Sequence, residues 1–255
     1  MKEIYLQLRK KARQIVLTLP TPEFQRIFFK EIKISKKNFE THPILIKLKK
    51  QIMPLMENNF GHGQLHAGLV CQDAGAIVQI ELNSSSKANQ TSSNIKNIER
   101  NILLVQIVGL FHDIKRKEKC HAEKGAKFAE TFLKKGNYSL SLDEIFIICT
   151  AIRKHEAFNI NNEKGDSTLI SDALYDADKF RWGQDNFTHT LWDMLIFSNI
   201  PFKKFVKKYP DGIKKLEQIK KTFRTHTGAK YGPDFINLGI KTGKLLLKSI
   251  KESSC

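Results

Sequence analysis

The chain carries eight histidines, and where they stand is the first chemical signal. His112 is followed directly by Asp113 at the end of the apolar run ILLVQIVGLF, 102–111. An adjacent His-Asp pair at a helix end presents an imidazole nitrogen and a carboxylate oxygen to one cation. That mixed donor set suits a hard or borderline divalent metal. Two donors do not complete a site, and further candidates follow in order. His66 lies in GHGQLHAGLV, His121 opens HAEKGAKFAE, His155 ends EIFIICTAIRKHE, and Asp178 sits in LYDADKFRWG. Cations accompany the same words: Lys115 and Arg116 after Asp113, Arg153 and Lys154 before His155, Lys179 and Arg181 after Asp178. A ring of cations beside metal donors suits an anionic substrate, since a guanidinium fork grips a phosphate bidentately.

These residues need elements to position them. Residues 65–82 place Leu69, Val70, Ala74, Ile77, Val78 and Leu82 at three- and four-residue steps, one apolar stripe of a helix. The spacing recurs near 98–111, 122–134, 143–154, 168–181, 187–198 and 235–250, and strict alternation is rare. The expectation is an all-α bundle of about eight to ten helices. Each candidate donor stands at or near the end of an apolar helix. An inward-facing polar residue is costly there unless it is ligated or hydrogen-bonded. Packing such ends together builds one cleft, as helical bundles commonly do for metals.

Composition divides the chain further. Residues 1–50 are strongly basic and read as an N-terminal helical extension, 51–200 as the core, and 201–255 as C-terminal helices packed on it, one domain overall. The polar stretch NSSSKANQTSSNIKN, 83–97, reads as a loop. Near the end, Tyr231-Gly232-Pro233 reads as a turn, with Asp234 capping a last packing helix. GIKTGKL is not a phosphate loop, because three residues rather than four separate Gly239 and Gly243, and Leu245 follows Lys244.

With 43 Lys+Arg against 26 Asp+Glu, the net charge is +17, which favours anionic partners. These include an anionic small-molecule substrate and weak, nonspecific nucleic-acid binding, the latter falling steeply with salt. The four cysteines (Cys71, Cys120, Cys149, Cys255) are scattered without a CxxC pair, so no disulfide framework or zinc ribbon is indicated, and a reducing cytoplasm is expected. The N-terminus lacks the apolar core of a secretory signal, and the run 102–111 is about half a membrane span, so no membrane association is expected.

The ordered words H-x-x-L-V, L-F-H-D-I, H-A-E-x-G-A, I-R-x-H and D-A-D-K, over roughly residues 58–185, resemble the HD-domain superfamily of metal-dependent phosphohydrolases. The resemblance implies a helical bundle of the HD-domain type with extra N- and C-terminal helices. It implies that His66, His112, Asp113 and Asp178 hold one divalent ion, that His121 and His155 serve a second, and that Asp113 bridges the two. One or two ions of Mn, Mg, Ni, Co, Fe or Zn would serve. The implied reaction is attack of metal-activated water on a phosphate ester such as a nucleotide, with Asp113, Lys115 and Arg116 at the reacting group. Lys115, Arg116, Arg153 and Lys179 would hold substrate phosphate.

Departures narrow the resemblance. The 5′-nucleotidase and guanosine-tetraphosphate hydrolase branches carry an acidic residue where Arg116 stands, and the GYP triplet of cyclic-di-guanylate phosphodiesterases is absent after His155. The chain looks closest to the general HD hydrolases. Two rival readings remain open: an HD-fold di-iron oxygenase using the same ligand pattern, and a catalytically silent basic binding module. Among the other histidines, His62 is expected as a solvent-exposed loop residue, while His42, His189 and His226 carry no expected role. Asp176 is expected on the surface or in a hydrogen bond.

Overall fold

The computed structural model describes residues 2–56, 61–85, 92–156 and 168–252. Among the described residues there are twelve α-helices and no strand. They are α1 (Lys2–Leu17), α2 (Glu23–Ile27), α3 (Phe29–Thr41), α4 (Pro43–Ile52), α5 (Gln64–Ser85), α6 (Ser92–Phe111), α7 (His121–Lys135), α8 (Leu142–Arg153), α9 (Leu169–Phe180), α10 (Leu191–Phe197), α11 (Phe202–Ile219) and α12 (His226–Glu252). A π-helical turn, Asn186–Thr190, leads into α10.

The apolar run at 102–111 dictates the centre. Every residue from Ile102 to Phe111 is buried, so the second half of α6 is covered on all sides. It packs against α3, α4, α5, α8 and α9. The closest approach is to α5 at Gly109, where a Cβ would lie 2.6 Å from Cys71 Sγ and 3.3 Å from Cys71 Cα. One buried polar network crosses this centre with its groups paired. Gln106 Nε2 donates to Ser35 O (2.8 Å), its Oε1 accepts from Asn38 (2.8 Å), and Ser35 Oγ donates to Gln72 O (2.7 Å). Three helices are thereby held in register, since an unpaired amide there would cost its full desolvation.

The basic first fifty residues do not form an appendage as a whole. Phe24, Leu45 and Leu48 are fully buried in the main core. α1 instead joins a second apolar cluster, with Tyr5 beside Trp192, Phe205, Tyr209 and Ile236. This cluster carries α10, α11 and the middle of α12 on the flank of the core.

Two local expectations are corrected. Of the polar stretch 83–97, the described parts extend helices: α5 runs through Ser85 and α6 begins at Ser92, and only 86–91 lie outside the described residues. Polar residues suffice there because the first turns of α6 are mostly exposed. Near the end, α12 starts at His226 and continues through Pro233. Tyr231 and Phe235 are buried in the core on either side, and this packing outweighs the proline's missing donor. Asp234 caps nothing in its own helix; its Oδ2 accepts from the Glu23 amide at 2.8 Å.

The helix ends are set locally. Thr168 caps α9 by accepting from the Ser171 amide at 3.2 Å. Ser141 and Glu144 form a reciprocal capping box at the start of α8. The Arg100 fork of α6 grips the same Glu144 carboxylate with contacts of 2.5 and 2.6 Å. That pairing holds the Glu144 carboxyl below its usual range and raises Arg100.

Two outcomes follow for stability. Gly109→Ala forces a methyl into the α5–α6 contact and lowers stability by about 1–3 kcal/mol, read as a fall in melting temperature. Glu144→Gln costs about 1 kcal/mol at neutral pH. A carboxyl with a lowered folded pKa contributes above its unfolded value and loses that contribution in acid. The parent and Glu144→Gln curves therefore converge as the pH falls below the ordinary glutamate value of about 4.3, measured by urea unfolding across pH.

Candidate metal centre

The ends of five helices meet at one place. His66 comes from the first turn of α5, and His112 and Asp113 directly follow α6. His121 opens α7, His155 lies two residues beyond α8, and Asp178 is in the last turn of α9. The chain reverses sharply between α6 and α7, with Cys120 at φ +56° immediately before His121. His66, His112, His121, His155 and Asp178 are all buried.

The donor atoms fall into groups whose members lie within 4.8 Å of one another: His66, His112 and Asp178; Asp113, His121 and His155; and His62, His66 and Asp113. Asp113 stands between them. Its Oδ2 faces His62 Nδ1 at 2.7 Å, His112 Nε2 at 3.3 Å and His66 Nε2 at 3.7 Å. Its Oδ1 faces His155 Nε2 at 3.4 Å and His121 Nε2 at 3.5 Å. One carboxylate thus offers a separate oxygen to each histidine group. Asp178 Oδ1 lies 3.2 Å from His66 Nε2.

The ring tautomers follow from the backbone. His112 Nδ1 donates to Gly109 O at 2.8 Å, and His155 Nδ1 donates to Ile152 O at 2.7 Å. His121 Nδ1 faces Glu156 Oε1 at 3.0 Å. Each of these rings therefore turns Nε2 inward. His66 Nε2 and His112 Nε2 are 3.2 Å apart, as are His121 Nε2 and His155 Nε2. Burial drives the pKa of both His66 and His121 down to about 4, so these rings are neutral at pH 7 and keep their lone pairs. Burial also opposes charge on His112, but the Asp113 and Asp178 carboxylates outweigh it and raise that pKa. Burial alone would neutralise Asp113 and Asp178. The imidazoles of His112 and His62 hold Asp113 far below the usual range, and Lys179 with His66 does so for Asp178.

This donor set fits divalent cations. Asp113 Oδ1 and Asp178 Oδ1 are buried without a hydrogen-bond partner, and pairs of imidazole nitrogens face each other at contact distance. An inward-facing set of acceptors is costly in a folded core unless a positive charge stands among them. A ring held by a backbone carbonyl through its other nitrogen, as His112 and His155 are, is oriented as metal-ligating histidines commonly are.

The surrounding cations take different places. Arg116 lines the cleft, with NH1 2.9 Å from His121 Nε2 and 3.6 Å from Asp113 Oδ1. Lys115 lines an adjoining small hollow; its Nζ pairs with Glu118 at 3.3 Å and lies 5.4 Å from the Phe128 ring centre. Lys179 is buried and lines the cleft, but it donates to Asp178 Oδ2 at 2.6 Å and to His155 O at 3.3 Å and so is tied to that carboxylate. Arg153 pairs with Glu123 at 3.1 Å and does not line the cleft. Its position near the end of α8 turns it toward α7 instead. Arg181 is buried between Asp73 and Asp185 and fastens α9 to α5.

His62 departs from its sequence reading, and Asp176 takes the hydrogen-bonded place expected of it. His62 is not solvent-exposed: its side chain is 10% exposed and sits on Asp113. The hint in the sequence was the GHG word four residues before His66, but its partner lies 51 positions away. Asp176 is fully buried and accepts from the Arg224 and Thr225 amides at 2.9 and 2.8 Å and from Thr225 Oγ1 at 2.7 Å. It fixes the start of α12 to α9. His42 caps α4, and His226 is exposed.

Comparison of the chain with protein-family models, curated proteins and solved structures finds no match. The geometry therefore carries the reading by itself.

Metal occupancy gives the direct check. Protein stripped with chelator and titrated with Mn²⁺ to a hundredfold excess over the dissociation constant should gain about 2.7 kcal/mol. For a chain of this size that is a rise of about 5–10 °C in melting temperature. His112→Ala and Asp178→Asn should abolish the rise, and His226→Ala should leave it intact.

Proposed function

We propose that the protein is a metal-dependent phosphohydrolase of the HD type, cleaving a phosphate ester. The observation that carries this is the Asp113 carboxylate, whose two oxygens face two separate sets of imidazole nitrogens. His66, His112, Asp113 and Asp178 would hold one ion, and Asp113, His121 and His155 a second. When bound, such ions supply Lewis acidity, taking up charge on phosphoryl oxygens and bringing the pKa of water near neutrality.

The chain's own groups complete the site. Arg116 is part-exposed at the cleft and presents a guanidinium to the phosphate oxygens. Lys179 holds the Asp178 carboxylate ionised and oriented toward His66. Glu156 faces His121 Nδ1 and turns that ring's Nε2 toward Asp113 and Arg116. The cleft that joins these groups has a volume of about 620 Å³, enough for a substrate much larger than phosphate.

The test is a panel of phosphate esters with protein loaded separately with Mn, Mg, Ni, Co, Fe or Zn. Metal-dependent release of inorganic phosphate is expected, lost in Asp113→Asn. Arg116→Ala should lower kcat/KM about ten- to a hundredfold, the worth of a charge-assisted hydrogen bond of about 1.5–3 kcal/mol. Absence of release with every ester and every metal would overturn the reading.

A further inference from the structure

A second cavity adjoins the metal cleft. It has a volume of about 360 Å³ and lies between the π-helical turn, α10 and α11. Phe187, Leu191, Leu195, Phe205, Ile213 and Leu216 dominate its wall. Asn186, Leu191, Gly212 and Leu216 line both spaces, so cavity and cleft share a boundary.

Gly212 makes that boundary unusual. It lies inside α11, where glycine costs about 1 kcal/mol relative to alanine. At Gly109 crowding by Cys71 explains the glycine. A Cβ at Gly212 would meet nothing within 4 Å. Neither packing nor a left-handed backbone calls for glycine here. Gly212 is exposed, and its missing side chain leaves the rim shared by the two cavities uncovered.

The chemistry of the wall selects the occupant. A base or sugar placed among these residues would leave its donors and acceptors facing phenylalanine and leucine, with Asn186 the sole neutral polar side chain on the shared boundary. A hydrocarbon chain loses nothing there. Lys215 lines the cleft, on the side where a phosphate would sit, while Lys204 and Lys208 are exposed at the rim of the apolar cavity.

We propose that the substrate is an alkyl phosphate, a monoester whose phosphate enters the metal cleft while its linear apolar chain passes Gly212 into the second cavity. This rests on the phosphohydrolase reading. Water adds across the ester P–O bond, giving inorganic phosphate and the corresponding alcohol.

The experiment uses n-butyl, n-hexyl, n-octyl and n-decyl phosphate below their micelle concentrations with the full, Mn-loaded chain. Binding is measured by calorimetry, turnover by phosphate release, and both are repeated with Gly212→Leu. Affinity should climb roughly fourfold per added methylene until the cavity is full. Gly212→Leu, with a melting temperature at or above the parent's, should flatten that dependence. Affinity independent of chain length in the parent would overturn the proposal, as would an equal climb in both proteins, which would place the chain elsewhere. The two readings separate cleanly. Chain-length-dependent binding without turnover upholds the cavity's role and sinks the hydrolase. Turnover of short and long esters alike, with equal affinity, does the reverse.

Discussion

The structure is organised around one carboxylate, Asp113, whose two oxygens face five imidazole rings. Two pairs of imidazole nitrogens face each other at 3.2 Å in a buried space, beside carboxylate oxygens that accept no hydrogen bond. Groups of this kind are costly to bury unless each is paired or a cation stands among them, and Arg116 NH1, 2.9 Å from His121 Nε2, serves one of these nitrogens. The arrangement is enforced locally. His112 and His155 each stand just past a helix end and donate back three residues, to Gly109 O and Ile152 O. The last carbonyls of a helix have no partner within it, and these two are spent on orienting the rings. The lengths of α6 and α8 thus fix the direction of two inward nitrogens.

The rest of the fold serves that placement. α6 is covered along its buried half, so its end cannot shift without disturbing α3, α4, α5, α8 and α9. The Ser35–Gln106–Asn38 network fixes the sliding position of α3, α5 and α6. Arg181, buried between Asp73 and Asp185, ties α5 to the helix that supplies Asp178. Charges near the centre are accordingly more paired than free. Lys179 and Arg181, close to Asp178 in sequence, line the cleft but are both bound to carboxylates, and Arg116 reaches it from beside Asp113.

Much of this was legible in the sequence for a definite reason. A histidine or aspartate at the end of an apolar periodic segment is conspicuous, and His66, His112, Asp113, His121, His155 and Asp178 are all of that kind. The helical class followed from the same periodicity. What escaped depends on contacts between distant positions. His62 lies in a short glycine-flanked word with no periodicity, and only the Asp113 side chain turns it inward. Arg153 and Lys179 look alike as cations beside ligands, yet one turns to Glu123 and the other to Asp178. The helical nature of 92–97 and of 226–234 was hidden for opposite reasons. The first is too polar to show a stripe, and the second holds a Gly-Pro pair that only Tyr231 and Phe235 packing overrides.

Asp176 and Asp178 sit two residues apart on one helix, both buried, and answer to different masters. The first is saturated by the amides and hydroxyl that open α12; the second points an unsatisfied oxygen at His66. Neutralising either carboxylate would look equally damaging in a screen for loss of function. Only one loss would be of architecture. A census of tolerated substitutions along α9 would therefore mix two kinds of intolerance within a single turn, separable only by asking whether the variant still folds.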